Sequence, residues 1–180
     1  LIMATLIIHE DTMKKAMIKT VILSLATLLL ISKGMMANEK KSVDWIDFEQ
    51  AITKAAKENK HIVVDFYTDW CSWCKVMDEQ TYRNSEIVQY GNQKFLFAKI
   101  NAESDAKISY KGQQFTCREF TAALGIRGYP ATVFLNEKGE FITKISGFIQ
   151  PDQFMPILEY LEGKYYDKMS FDDFMKTRKS

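Results

Sequence analysis

Val64-Asp65-Phe66-Tyr67-Thr68-Asp69-Trp70-Cys71-Ser72-Trp73-Cys74-Lys75 is the stretch that decides the fold. It closes a β-rich run, His61 to Tyr67, that suits a buried strand. Thr68-Asp69-Trp70 turns the chain, and a helix is predicted to start near Cys71. A C-x-x-C pair has three readings. As half of a zinc site it needs a second ligand pair, and only Cys117 and His61 remain, neither with a close companion. As a structural disulfide it closes a very short loop and gains little from chain entropy. As a redox dithiol it belongs after a strand and at a helix N-terminus, which is its setting here. Unpaired N–H groups and the positive end of the helix dipole favour a thiolate at Cys71. Cys74, one turn deeper, is placed to resolve a mixed disulfide.

Composition supports cysteine chemistry by elimination. The chain has 180 residues, with 24 Lys+Arg against 23 Asp+Glu, a net charge of +1. That balance gives no footing to nucleic-acid binding, which needs a basic face. A hydrophobic content of 47% supplies a core and argues against disorder. With 2 His and 3 Cys, a Ser–His–Asp triad or a His-rich metal site would have to rest on His61, because His9 falls in a leader segment.

Periodicity lays out the elements. Asp44 to Lys60 reads as an amphipathic helix, with Trp45, Phe48, Ile52 and Ala55 at helical spacing. After the strand and the C-x-x-C helix, Ser85 is the predicted N-cap of the next helix. Phe95 to Ile100 is a second strand. Lys107 to Thr116 forms a hairpin around Lys111-Gly112, and Cys117 to Leu124 is helical up to Gly125. Ala131 to Leu135 and Glu140 to Ile145 flank Asn136-Glu137-Lys138-Gly139 as a further hairpin. Pro151 opens a helix that Gly163 stops, and Ser170 caps a short Phe171–Met175 helix. The order predicts an α/β fold with a mixed sheet and helices on both faces.

The stretch from Val64 to Lys75 resembles the thioredoxin signature. Ile126-Arg127-Gly128-Tyr129-Pro130-Ala131-Thr132-Val133-Phe134 resembles the cis-proline segment of the same family. With Lys99 in its strand and Gly147 after the hairpin, the likeness covers roughly residues 45–162. It is nearest to secreted bacterial thioredoxin-like proteins, including the type associated with sulfur oxidation. Those also carry extra sequence before the cis-proline (here about Ala102 to Phe120) and a tail like Tyr165-Tyr166-Asp167-Lys168-Met169-Ser170-Phe171.

The resemblance implies a thioredoxin fold, a central mixed β-sheet flanked by helices with an insertion before the cis-Pro segment. It implies a thiol:disulfide oxidoreductase with Cys71 as nucleophile and Cys74 as resolving thiol. Asp65 takes the place of the buried acid beneath the dithiol and Lys99 that of the lysine beside it. Pro130 takes the place of the cis-proline facing the thiols, and the Tyr129 backbone pairs with an incoming polypeptide. Gly147 lets that polypeptide approach, while Trp70 and Trp73 surround the thiols. Each residue has a plainer alternative. Asp65 suits an edge strand, Lys99 a solvated strand position, and Pro130 an ordinary trans turn. The tryptophans suit packing, His61 a strand start, and Cys117 a small buried helix position rather than a third redox partner.

The sequence departs from the family between the cysteines. Ser72-Trp73 is neither the Gly-Pro of cytosolic thioredoxins nor the Pro-His of the strong periplasmic oxidase. Tyr129 is bulky for the position before the proline and narrows the groove.

Hydropathy sets the expected compartment. Met13-Lys14-Lys15-Ala16-Met17-Ile18-Lys19 is a basic start, and Val21 to Ile31 is uncharged and apolar. Small and polar residues follow, the pattern of a secretory signal cleaved after Ala37 or Gly34. The apolar run is shorter than the roughly 20 residues of a membrane span; an uncleaved N-terminal anchor is the alternative. Residues 1–12 precede Met13 and enter no functional argument. The expected organisation is therefore 1–37 upstream residues and leader, 38–162 thioredoxin-like domain, and 163–180 a tail with a short helix. Export puts all three cysteines in an oxidising compartment.

The expectation is a periplasmic or secreted monomer that reduces disulfides of exported proteins. It takes electrons from a membrane thiol donor and uses no metal or organic cofactor. A periplasmic oxidase or isomerase is the rival within the class, the isomerase weakened because the sequence shows no separate dimerisation segment. A C-x-x-C copper carrier is the rival outside it. Carriers of this fold add a distant His and space their cysteines further apart.

Overall fold

The computed structural model describes Lys19 and residues 42–178. Contacts divide the chain into two units, 1–39 and 40–180. The leader reading over 1–37 lies, Lys19 apart, outside the described residues. Among the described residues no helix is long and apolar enough to cross a membrane.

Among the described residues of the second unit, seven strands and six helices follow one another. They are β1 (Trp45–Ile46), α1 (Phe48–Glu58), β2 (His61–Tyr67), α2 (Ser72–Gln80), α3 (Ser85–Lys94) and β3 (Phe95–Asn101). Then come β4 (Lys107–Tyr110), β5 (Gln113–Thr116), α4 (Cys117–Ala123), β6 (Ala131–Leu135), β7 (Phe141–Ser146), α5 (Pro151–Glu162) and α6 (Phe171–Arg178). A single 3-10 turn, Tyr165–Asp167, joins the last two helices. Five strands form the main sheet in the order β1-β3-β2-β6-β7, and β4-β5 stand apart as a hairpin. β2 runs parallel to β3 and antiparallel to β6. This mixed sheet with helices on both faces is the thioredoxin fold.

Strand alternation builds two cores, since successive side chains point to opposite faces. Ile62, Val64 and Phe66 of β2 pack with Phe48, Ala51 and Ala55 of α1 and Phe120 of α4. Val63, Phe95, Phe97 and Phe134 face the other way, against Met77 of α2, Ile87 of α3 and Phe154 and Leu158 of α5. Asp65 shares parity with Val63, so its carboxyl points to the face that carries α2, the helix of the dithiol.

Two expectations fail at helix starts. The helix predicted from Asp44 begins only at Phe48, after the β1 pairing of Trp45 with Phe97. Asp47 is the reason, because its Oδ1 accepts from the backbone N–H of Glu49 and Gln50 and fixes the cap there. Trp45 fits the helical period only by coincidence. Its ring packs on Tyr82 and Phe97, across the sheet from the core that Phe48 enters. In α3 the cap is Asn84 rather than Ser85, with Asn84 Oδ1 accepting from Glu86 and Ile87. Asn and Ser are near-equal caps, and the one nearer the turn takes the position.

The insertion is an ordered extension of the first core. Lys111 and Gly112, both at positive φ, turn β4 into β5, the geometry a two-residue hairpin requires. Thr116 and Glu119 then form a reciprocal capping box that starts α4. At the other end, Ser170 Oγ accepts from the Asp173 N–H. The helix it caps runs to Arg178, past the predicted end at Met175. Phe174 lies buried there and rings of Tyr160 and Tyr165 pack on it.

Candidate active site

Cys71 is the N-cap of α2, and its Sγ accepts the backbone N–H of Cys74 at 3.0 Å. The cap follows from the strand-turn-helix order, because β2 delivers the chain to Thr68 and the Cys71 N–H closes the turn on the Thr68 carbonyl. Cys71 and Cys74 are disulfide-bonded, with Cα atoms 5.3 Å apart. Both residues are almost wholly buried in this oxidised form. Position on the helix therefore distinguishes them, and exposure does not.

Around the buried pair the surface is aromatic. Trp70 is 67% exposed and Trp73 58%. Trp70 Nε1 donates to Glu103 Oε2 at 3.0 Å, and its ring stands edge-on to Tyr129. Trp73 lies against Phe148. Both tryptophans are thus exposed, each with an aromatic neighbour on one side.

The Tyr129–Pro130 peptide is cis, as the resemblance implies and against the trans alternative. Gly147 adopts φ +93°, a conformation that side chains rarely tolerate. Its N–H donates to the Pro130 carbonyl. A Cβ at Gly147 would meet no atom within 4 Å, so the space above it is open.

Beneath the helix lies a buried polar cluster. Asp65 is 1% exposed and sits on the central strand, which removes the edge-strand alternative. Register places Lys99 on one side of it and Thr132 on the other. Lys99 Nζ is 3.7 Å from Asp65 Oδ2 and in direct contact with Asp78 Oδ1. The Tyr82 hydroxyl donates to Asp65 Oδ1 at 3.3 Å. Burial pushes the Asp65 carboxyl up to about 7; Lys99 pulls it down and Asp78 pushes it up. Lys99 is only about a quarter exposed and lies over the rings of Trp45 and Tyr67, so it is not the solvated strand residue of the plainer reading. A cleft of about 410 Å³ is lined by Trp45, Lys75, Asp78, Arg83 and Lys99 among others.

Sequence reasoning missed Asp78, Tyr82, Thr132 and Glu103. Asp78 carried a signal, since four residues beyond Cys74 is the same helix face one turn on. Tyr82 and Glu103 lie outside any periodic segment, and Thr132 meets Asp65 only through the β2–β6 register.

His61 opens β2 as predicted. Buried, it bonds Tyr166 through Nε2 at 3.0 Å, and burial lowers its pKa. Cys117 is a free, buried thiol at the start of α4, and burial raises its pKa. Its core neighbours include Phe120 and Ile126. Cys117→Ala is therefore expected to keep near-full exchange activity and to lose roughly 1 kcal/mol of stability, the cost of a small buried deletion. Single-turnover and steady-state rates on that variant check it, and a stall after one turnover would make Cys117 a relay.

Strand, turn and helix thus present a dithiol at a helix N-terminus, with a buried carboxyl on the sheet face that carries that helix, the site of a thioredoxin-type oxidoreductase. Residues 48–162 match the thioredoxin-like domain family, and the chain belongs to it. The chain is 25% identical over 127 residues to the thiol:disulfide interchange protein DsbD of Photorhabdus laumondii, covering 69% of this chain and 20% of that one. It is 31% identical over 120 residues to the protein of the same name from Campylobacter jejuni, covering 66% and 19%. The match thus spans about a fifth of the length of those relatives. A thioredoxin-fold protein from Helicobacter pylori superposes with a TM-score of 0.57 at 21% identity, over 82% of this chain and 92% of that one.

Proposed function

We propose that the chain reduces disulfides of exported proteins through Cys71 and Cys74. The observation that carries exchange through this pair, with Cys71 as the attacking sulfur, is the Cys74 N–H donated to Cys71 Sγ at the N-terminus of α2, because the same donor stabilises a Cys71 thiolate. In the reaction the Cys71 thiolate attacks a substrate disulfide, forming a mixed disulfide and expelling one substrate thiolate. Cys74 loses its proton to the Asp65 carboxylate and attacks the Cys71 sulfur. The Cys71–Cys74 disulfide forms, the second substrate thiolate leaves, and two electrons have passed to the substrate. Lys99 holds positive charge beside Asp65 and favours its ionised form. Trp70, Trp73, Tyr129, Pro130 and Gly147 line the groove that receives the polypeptide. Residues 1–37 comprise upstream residues and the export leader, or an N-terminal anchor in its place, 38–162 the catalytic domain and 163–180 its tail. The protein works as a monomer in the periplasm or beyond it, and a membrane dithiol donor restores the reduced state.

The direction rests on Ser72 and Trp73. Neither brings a positive charge to Cys71, so the backbone donor acts there without help from an intervening histidine. A dithiol whose thiolate is less stabilised is the stronger reductant. The equilibrium potential of the Cys71–Cys74 couple against glutathione tests the reading. A value near about −270 mV is expected; one near about −120 mV would make the protein an oxidase.

A further inference from the structure

Asp65 has two oxygens in different surroundings. Oδ2 faces Lys99 of β3. Oδ1 accepts from the hydroxyl of Tyr82, which belongs to the connection between α2 and α3 and is wholly buried. A buried tyrosine hydroxyl needs a partner, and the position of this one is set by the packing of its ring as well. The Tyr82 ring meets Trp45 at 4.8 Å, Phe154 at 5.7 Å and Phe97 at 6.3 Å, all edge-on. The Tyr82 carbonyl accepts from the Val43 N–H at 2.9 Å. Thr132 of β6 brings its hydroxyl to 3.5 Å from that of Tyr82. Rings from β1, β3 and α5 thus fix one O–H against one carboxylate oxygen.

We propose that Tyr82 is a positioning residue for the exchange reaction, its clamped hydroxyl holding Asp65 by Oδ1 so that Oδ2, the oxygen facing Lys99, handles the proton of the resolving thiol. The proposal rests on the reading of Asp65 as proton acceptor. The charged and titratable groups facing Asp65 are Lys99 from β3, Asp78 from α2, Tyr82 itself and, in the reduced protein, the Cys74 thiol whose proton it takes; Thr132 from β6 is neutral. Tyr82 donates to the ionised carboxyl and so favours it, whereas burial and Asp78 oppose ionisation. The hydroxyl stays protonated while it does so, because burial and the adjacent Asp65 push its own pKa far up.

The test is a titration of the Asp65 carboxyl carbon by NMR in the full chain, a readout that does not depend on turnover. Tyr82→Phe keeps the ring clamp and removes the donor. Its Asp65 midpoint is expected to rise by up to about one pH unit, and the acidic limb of mixed-disulfide resolution to rise with it. In an Asp65→Asn background the same change should leave the rate profile unmoved. Replacing Tyr82 with 3-fluorotyrosine, a near-isosteric and stronger donor, should move the midpoint down, and it serves should Tyr82→Phe fail to fold. An unmoved midpoint, or shifts of the same sign in both variants, overturns the proposal. Failure of the underlying reading looks different: Tyr82 then moves the Asp65 midpoint while Asp65→Asn leaves resolution unchanged.

Discussion

Cys74→Ser is expected to trap its substrate as a stable mixed disulfide on Cys71, while Cys71→Ser falls to the uncatalysed rate. The asymmetry follows from one helix. Cys71 caps α2 and its sulfur accepts a backbone N–H, which stabilises charge on that sulfur. Cys74 lies inside the first turn, where its N–H is the donor. Removing Cys71 removes the nucleophile and leaves nothing to attack. Removing Cys74 leaves attack intact and deletes the second step, so the covalent intermediate accumulates. Mass spectrometry of the variant after incubation with a disulfide-bonded substrate reads the adduct. Equal loss of attack in both variants would contradict the assignment.

Asp65→Asn is the second large effect, and it acts on rate and stability in opposite senses. The rate effect falls on resolution. Without a carboxylate to take the Cys74 proton, release of the mixed disulfide should slow far more than its formation, and equal slowing of both steps would count against proton transfer. The stability effect follows from burial. Asp65 titrates near 7 when folded, above its value in an unfolded chain. Between those two values the native state holds a proton that the unfolded state has released. This group's contribution to stability is therefore fully present below the unfolded pKa and is lost as pH rises towards 7, by on the order of 4 kcal/mol over that window. The Asn variant lacks this loss. Its gain over the parent in denaturant midpoint should be larger at about pH 8 than at about pH 5.

How legible these features were depends on whether the governing contacts are local. His61–Tyr67, Ala131–Leu135 and the Lys111-Gly112 hairpin were readable because alternation and turn chemistry act within a few residues. Cys71 and Cys74 were readable because the strand-turn-helix order and the C-x-x-C spacing coincide in one short stretch. Trp45 was misread because a single aromatic residue satisfies a helical period as well as a two-residue strand, and only pairing with Phe97 decides between them. Asp65 could be named from the resemblance, but its placement on a central strand required the β3-β2-β6 order. Tyr82 was out of reach. It sits in a connection with no pattern, and its partners Asp65, Thr132, Trp45 and Phe154 come from four separate elements.

The central claim is that Cys71 attacks and Cys74 resolves. Partial alkylation of the reduced protein at mildly acidic pH, with the labelled residue identified by peptide mass, tests it most directly. Helix-capped Cys71 should be labelled first, because a thiolate persists there at a pH where an ordinary thiol is protonated. Labelling of Cys74 before Cys71 would contradict it.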